Sequence, residues 1–153
     1  PRGNRPRRRP KLANPGEANA PRQPRRVVDY ALQRRQALGK LVLAATGASE
    51  NMDPHPDLLR AARFHGLPLA DKCPWCNGKH LVLLRYAWGD ELGDHTGRQH
   101  SPAELDEMAV EHGHFRVDEV EVCRDCHWHF RRRSYVLGDG RPRPAMRVRK
   151  GDE

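Results

Sequence analysis

The sequence predicts an α+β fold: a small zinc-ribbon-like antiparallel sheet with a four-cysteine site, accompanied by about three helices. Three observations lead there. All four cysteines fall in two pairs of equal spacing, CPWCNGKH at 73–80 and CRDCHWHF at 123–130. Runs with strand character border those pairs, and stretches with helical periodicity or capping residues lie before and between them.

Composition sets the frame. A chain of 153 residues, 37% apolar with only 6% aromatic residues, forms one domain by default and buries a moderate core. A metal crosslink therefore stabilises it appreciably. The formal net charge is +8, and its placement is uneven. Residues 1–26 hold nine Arg and Lys against Glu17 alone, while the remainder holds 19 basic and 19 acidic groups. The excess belongs to the N-terminal segment, so the folded part need not be a basic nucleic-acid surface.

Residues 1–25 read as a disordered basic Arg/Pro-rich tail, because almost no large apolar group is present to offset ordering entropy. Residues 26–138 read as a single helical plus zinc-ribbon-like domain, and 139–153 as a flexible C-terminal tail interrupted by proline. No apolar run reaches the about 18 residues of a membrane span. The basic start is not followed by the apolar core of a signal peptide. Paired CxxC spacing suits a reducing compartment, so a cytoplasmic location without membrane contact is expected.

Within the domain, VVDYALQRRQALGKLVLAA predicts a helix from Val27 to about Ala45, with Val28, Ala31, Leu38 and Val42 near one face. A second helix is expected over Pro56–His65, stopped at Gly66, with Leu58, Leu59 and Ala62 inward. HLVLLRYAW alternates as a strand: Leu81, Leu83 and Ala87 oppose Val82, Leu84, Tyr86 and Trp88. GDELGDHTGRQH reads as a loop. SPAELDEMAVEH starts a third helix, with Ser101 as cap, Pro102 in the first turn, Glu104 three residues after the cap, and Leu105, Met108 and Ala109 buried. FRVDEVEV is a strand in which Phe115 and Val117 lie on one face and Val120 and Val122 on the other, which predicts an irregularity near Asp118 and Glu119. HWHFRRRSYVLG closes the domain as a strand, with Trp128, Phe130 and Val136 on a common face.

A CxxC turn brings two thiolates together, and two such turns beside strands make a tetrahedral site. Cys73, Cys76, Cys123 and Cys126 are therefore the expected ligands of one structural Zn2+ per chain, with iron as the lesser alternative for the same sulfur set. The intervening residues 77–122 form a long insertion for a ribbon, tolerable because closure entropy grows only logarithmically with length. His127 and His129 could replace a thiolate or donate a hydrogen bond to a sulfur. Thioredoxin-type chemistry fits less well, since CPWCNGK leads into a strand rather than a helix N-terminus. Asp90, Glu91, Asp94, His95 and His100 form the most enzyme-like cluster, but in a glycine-rich loop where solvated charges also gather. No catalytic residue is assigned, and no phosphate loop, nucleophile elbow or HExxH pattern occurs.

Two kinds of contact residue follow. Arg5, Arg7, Arg8 and Arg9, with Arg131, Arg132 and Arg133, could neutralise phosphates of RNA or DNA, alone or within a ribosome or RNA polymerase. Trp88, Asp90 and Glu91 could contact a protein through the neutral core. The expected function is that of a cytoplasmic zinc-binding accessory or regulatory protein acting by macromolecular contact. The alternative is a metal-dependent enzyme or a thiol-based redox-responsive protein.

The ordered blocks VVDYALQRRQAL, DPHPDLLRAARFHG, CPWC, YAWGDELG, SPAELDEMA, HGHFRVDEVEVCRDC and RRSYVLG resemble a small actinobacterial family of unknown function, whose members look like zinc-ribbon-containing proteins. The resemblance covers about Arg26 to Gly138. It implies that the four cysteines match the family's paired cysteines, that Gly89, Asp90, Glu91, Leu92 and Gly93 match its GDELG block, and that the compartment is an actinobacterial cytoplasm.

Overall fold

The computed structural model describes residues 20–44, 49–141 and 143, and all structural statements concern those residues. Their order is β1 (Arg25–Asp29), α1 (Ala31–Leu43), a 3-10 turn (Glu50–Met52), α2 (Pro56–His65), β2 (Leu67–Pro68), β3 (Leu81–Trp88), a second 3-10 segment (Asp90–His95), β4 (Arg98–Gln99), α3 (Pro102–Glu111), β5 (Phe115–Cys123) and β6 (His129–Leu137). The six strands make one open antiparallel sheet in the order β1-β6-β5-β3-β2, with β4 also on β3. The α+β class is as expected, although the sheet is larger than a ribbon hairpin pair and is not a closed barrel.

β5 is central and pairs with β3 without interruption, from Leu81 opposite Cys123 to Trp88 opposite Arg116. Strand alternation then assigns the faces. One face carries Leu81, Ala87, Phe115, Val117 and Cys123; the other carries Val82, Leu84, Val120 and Val122, where Ala62 of α2 packs. Gly66 ends α2 because of close approach: a Cβ there would lie 2.5 Å from Val82 Cγ2 on β3. At the far end of the first face, Leu105, Met108 and Ala109 of α3 join Leu92, Phe115, Tyr135 and Leu137. The Ser101 hydroxyl accepts the Glu104 N–H at 3.2 Å, as the capping pattern predicts.

Several expectations are corrected. The first helix does not begin at Val27: Arg25–Asp29 form an edge strand on β6, and the helix starts at Ala31, whose N–H donates to Asp29 Oδ1 at 2.8 Å. Its inward stripe is Arg34, Ala37, Leu38 and Leu41, while Val28 and Val42 are exposed. Arg34 belongs to that stripe because it forms a bidentate pair with the fully buried Glu121. The GDELGDHTGRQH loop contains the Asp90–His95 turn and β4, anchored by buried Leu92. The irregularity near Glu119 exists, but its extra residue lies on the partner strand. Glu119 pairs with Arg133 and Val120 with Arg131, leaving Arg132 as a bulge in β6. The bulge also inverts the alternation, so Tyr135 and Leu137, not Val136, share the face of Trp128 and Phe130.

Residues 20–25, 138–141 and 143 are attached to this body. The Gly138 N–H donates to Pro21 O and the Gly140 N–H to Gly113 O. Residues 1–19 and 144–153, most of the two expected tails, lie outside the described residues.

The Arg34–Glu121 pair gives a direct test. Removing one partner of a buried ion pair leaves an uncompensated charge, so Arg34→Ala should destabilise the protein by about 3–5 kcal/mol. Arg34→Met combined with Glu121→Leu should recover most of that loss. Urea unfolding of the two variants checks both, and equal destabilisation by the single and double changes would refute the assignment.

Candidate metal centre

The four cysteines meet at one end of the sheet. Cys73 and Cys76 lie in the turn leading to β3, Cys123 is the last residue of β5, and Cys126 lies in the turn joining β5 to β6. The sulfurs all fall within 4.8 Å of one another. Cys73 Sγ is 3.6 Å from Cys126 Sγ, and Cys76 Sγ is 3.6 Å from Cys123 Sγ. Disulfide bonds would require about 2.05 Å. A tetrahedron of sulfurs about 2.3 Å from a central Zn2+ has edges of about 3.8 Å, so the set fits a tetrathiolate ion.

The two turns have the same construction. In the first, the Cys73 N–H donates to Gly78 O at 2.9 Å, the Asn77 N–H donates to Cys73 O at 3.0 Å, and Asn77 is left-handed with φ 59°. In the second, the Cys123 N–H donates to Trp128 O at 2.7 Å, the His127 N–H donates to Cys123 O at 3.0 Å, and His127 has φ 67°. Asn and His are among the residues that tolerate this region. The sulfurs also receive backbone N–H groups, from Trp75 to Cys73 at 3.4 Å and from Gly78 to Cys76 at 3.3 Å. Such donors favour thiolate over thiol. A bridge ties the turns together: the Arg124 N–H donates to His80 O at 3.0 Å, and His80 Nδ1 lies 2.9 Å from Asp125 Oδ2.

Electrostatics sets Cys76 apart from Cys73 and Cys126. Burial pushes Cys73 and Cys126 above the usual thiol range. At exposed Cys76, burial also acts upward, but the Gly78 N–H and hydrogen bonds to neighbouring sulfurs outweigh it and hold the thiol low. A divalent cation removes the cost of the buried charges by neutralising them in place.

Behind the sulfurs lies a small apolar cluster of Leu41, Leu81 and Trp128, with the Trp128 ring stacked on Phe130 at 5.8 Å. His127 is exposed, and His129 is half-buried with its backbone carbonyl accepting from Asn51 Nδ2 at 3.2 Å. The sulfurs form the metal-capable cluster found among the described residues, and neither histidine belongs to it.

The remaining candidates are dispersed. Arg5, Arg7, Arg8 and Arg9 lie outside the described residues. Arg131 stacks over Tyr30 at 4.5 Å, Arg133 donates to Glu119, and Arg132 occupies the bulge. Trp88 is partly exposed beneath Arg116, and Asp90 is exposed. Glu91 accepts the backbone N–H groups of His114 and Arg143, so it fastens chain segments together. His100 is buried between Glu104 and the His95 carbonyl, which gives that part of the acidic and histidine cluster a structural use. Sequence reasoning missed the His80–Asp125 bridge and the left-handed roles of Asn77 and His127. The repeated placement of a left-handed-tolerant residue directly after each CxxC was the available signal.

Fold and site together define an α+β protein with a cysteine cluster able to form a metal site. The chain belongs to the family of unknown function DUF5318, whose pattern matches residues 21–151. It is similar to uncharacterized protein Rv0049 of Mycobacterium tuberculosis and uncharacterized protein Mb0050 of Mycobacterium bovis, at 43% identity over 115 residues in each case, covering 75% of this chain and 84% of each relative. The actinobacterial resemblance is thereby borne out. No solved structure matches.

The turn geometry predicts a selective effect on metal binding. Asn77→Gly should retain affinity, whereas Asn77→Ile forces a β-branched residue into the left-handed region at a cost of about 1–2 kcal/mol. That corresponds to roughly tenfold weaker binding. Cobalt(II) titration, followed through its thiolate charge-transfer band, measures both variants; equal affinity for the two would show that the turn is not held as described.

Proposed function

We propose that this chain is a cytoplasmic zinc-binding accessory or regulatory protein. One structural Zn2+ on Cys73, Cys76, Cys123 and Cys126 holds a zinc-ribbon-like sheet end, and the protein acts by contact with a nucleic-acid-containing assembly of transcription or translation. The observation that carries this reading is the convergence of four sulfurs in two matching turns. Four thiolates complete the shell of a tetrahedral zinc ion and leave no position for a substrate or an activated water, so the metal has a scaffold role. Zinc suits an all-sulfur tetrahedral set and has no redox chemistry of its own.

Charge supports the choice of partner. Residues 1–26 carry nine basic groups against one acidic group. In this reading Arg131 adds an exposed guanidinium stacked on Tyr30. Phosphate neutralisation by such groups gives sequence-independent affinity through counterion release. The exposed Trp88, with Asp90 and Glu91 beside it, is the place where a protein component of the assembly would touch the folded part.

Elemental analysis of protein purified without added metal should find one zinc per chain. Cys76→Ser and Cys123→Ser should each lose the metal and lower stability by far more than the about 0.5 kcal/mol of an ordinary surface change. A full complement of folded, metal-free protein would refute the structural zinc.

Partner class is read separately. Replacing Arg5, Arg7, Arg8 and Arg9 by Ala in the full chain should weaken binding to a fluorescent single-stranded RNA. If all four touch phosphates, the log–log salt slope should fall by about 3. Metal content should not change. Unchanged affinity and slope would reject the basic segment as a nucleic-acid contact and favour a protein partner at Trp88.

A further inference from the structure

The sheet face that packs under α1 and α3 is apolar at both ends and ionic in the middle. Between the Leu41–Trp128 cluster and the α3 cluster, the inward positions are Leu83 and Arg85 on β3, Glu119 and Glu121 on β5, and Arg133 on β6. A cleft of about 390 Å³ opens there, lined by Asp29, Arg34, Arg85, Glu119, Arg132 and Arg133. Its volume lies in the range of small-molecule sites.

Four guanidinium groups line this cleft, and carboxylates hold three of them in place. The Glu119 oxygens accept Arg85 Nε at 3.0 Å and Arg133 Nε at 2.8 Å, and Glu121 engages Arg34 in a bidentate pair. Nε takes the carboxylate in Arg85 and Arg133, and Tyr135, whose hydroxyl donates to Glu119 Oε2 at 3.4 Å, lies against both guanidiniums and helps to hold them. Arg132 makes no ion pair among the described residues. It is the bulge residue, and its carbonyl accepts the Tyr30 N–H at 3.0 Å, which fixes the bulge against the start of α1. Bulges re-aim a side chain at just such places. The four arginines exceed Asp29, Glu119 and Glu121 by one positive charge.

Stability alone does not account for this arrangement. Apolar residues of similar volume would serve the fold as well as buried ion pairs do, and the same face is apolar on either side. Buried carboxylates that lock arginine forks are instead the support a preorganised oxyanion site requires, since the guanidinium plane matches phosphate oxygens bidentately. We propose that the cleft between α1 and the β3–β5–β6 face binds the phosphate group of a small phosphorylated molecule, through the terminal NH2 groups of Arg85 and Arg133 and the guanidinium of Arg132. This site is separate from the sulfur cluster and does not depend on the identity of its metal.

Calorimetric titration of the full chain with inorganic phosphate, at constant ionic strength, should show one saturable site. Arg132→Ala should weaken it at least tenfold while leaving metal content and the unfolding midpoint unchanged. The variant with Arg5, Arg7, Arg8 and Arg9 replaced by Ala should bind like the parent. In the unsubstituted protein, phosphate should also shift the 15N resonances of Arg85 and Arg133 Nε, a measurement independent of how any variant folds. No saturation, loss of binding in the N-terminal variant but not in Arg132→Ala, or binding of succinate without phosphate would each overturn the proposal.

Discussion

Four sulfurs converging at one end of the sheet tie the turn before β3 to the turn between β5 and β6, where the β3–β5 ladder ends. Cys73 and Cys76 stand before β3, Cys123 ends β5, and Cys126 sits in the turn that starts β6. The cluster thus closes a segment of about 50 residues that carries β3, β4, α3 and β5. Closing such a loop costs about 3–4 kcal/mol by the logarithmic length dependence. The proposed zinc would outweigh this comfortably, because structural zinc in small domains contributes about 10–16 kcal/mol. The Leu41, Leu81 and Trp128 cluster behind the sulfurs is small, and α1 docks on it through one stripe.

Away from the sulfurs, the constraint is charge inside the sheet face. Glu121 is fully buried and Glu119 nearly so, each engaged by arginines. These ion pairs explain features that apolar packing does not. Arg34 rather than a leucine continues the inward stripe of α1, and β6 accepts a bulge at Arg132 so that Arg133 faces Glu119 while Tyr135 and Leu137 still reach the α3 core.

Legibility in the sequence followed the same division. The cysteine pairs, α2, the cap of α3 and the alternation of β3 were readable because each rests on local chemistry: ligand spacing, a capping hydroxyl, a period of two. What failed depended on distant partners. Arg34 broke the apolar period of α1, which shifted the inferred inward face to Val28 and Val42, since Glu121 is 87 positions away in the chain. Arg25–Asp29 is too polar to announce an edge strand and becomes one by pairing with β6. The phase change in β5 correctly marked an irregularity, but a strand pattern does not say which partner carries the extra residue.

Charge counting also misleads where depth differs. Beyond residue 26 the basic and acidic groups balance at 19 each. In the structure, however, Asp118, Glu119 and Glu121 are buried, while Arg116, Arg131 and Arg133, which pair with Asp118 or Glu119, are 49, 46 and 42% exposed. A carboxylate beneath a guanidinium cancels the net charge but leaves outward-facing N–H donors at the surface, and at short range an approaching anion interacts with those donors first. A balanced count is therefore compatible with a locally anion-attracting surface. The basic groups of residues 1–26 add a long-range attraction that salt screens, whereas the partly buried guanidiniums of the cleft act at contact and are screened less. Ionic strength separates the two contributions physically, because they operate over different distances.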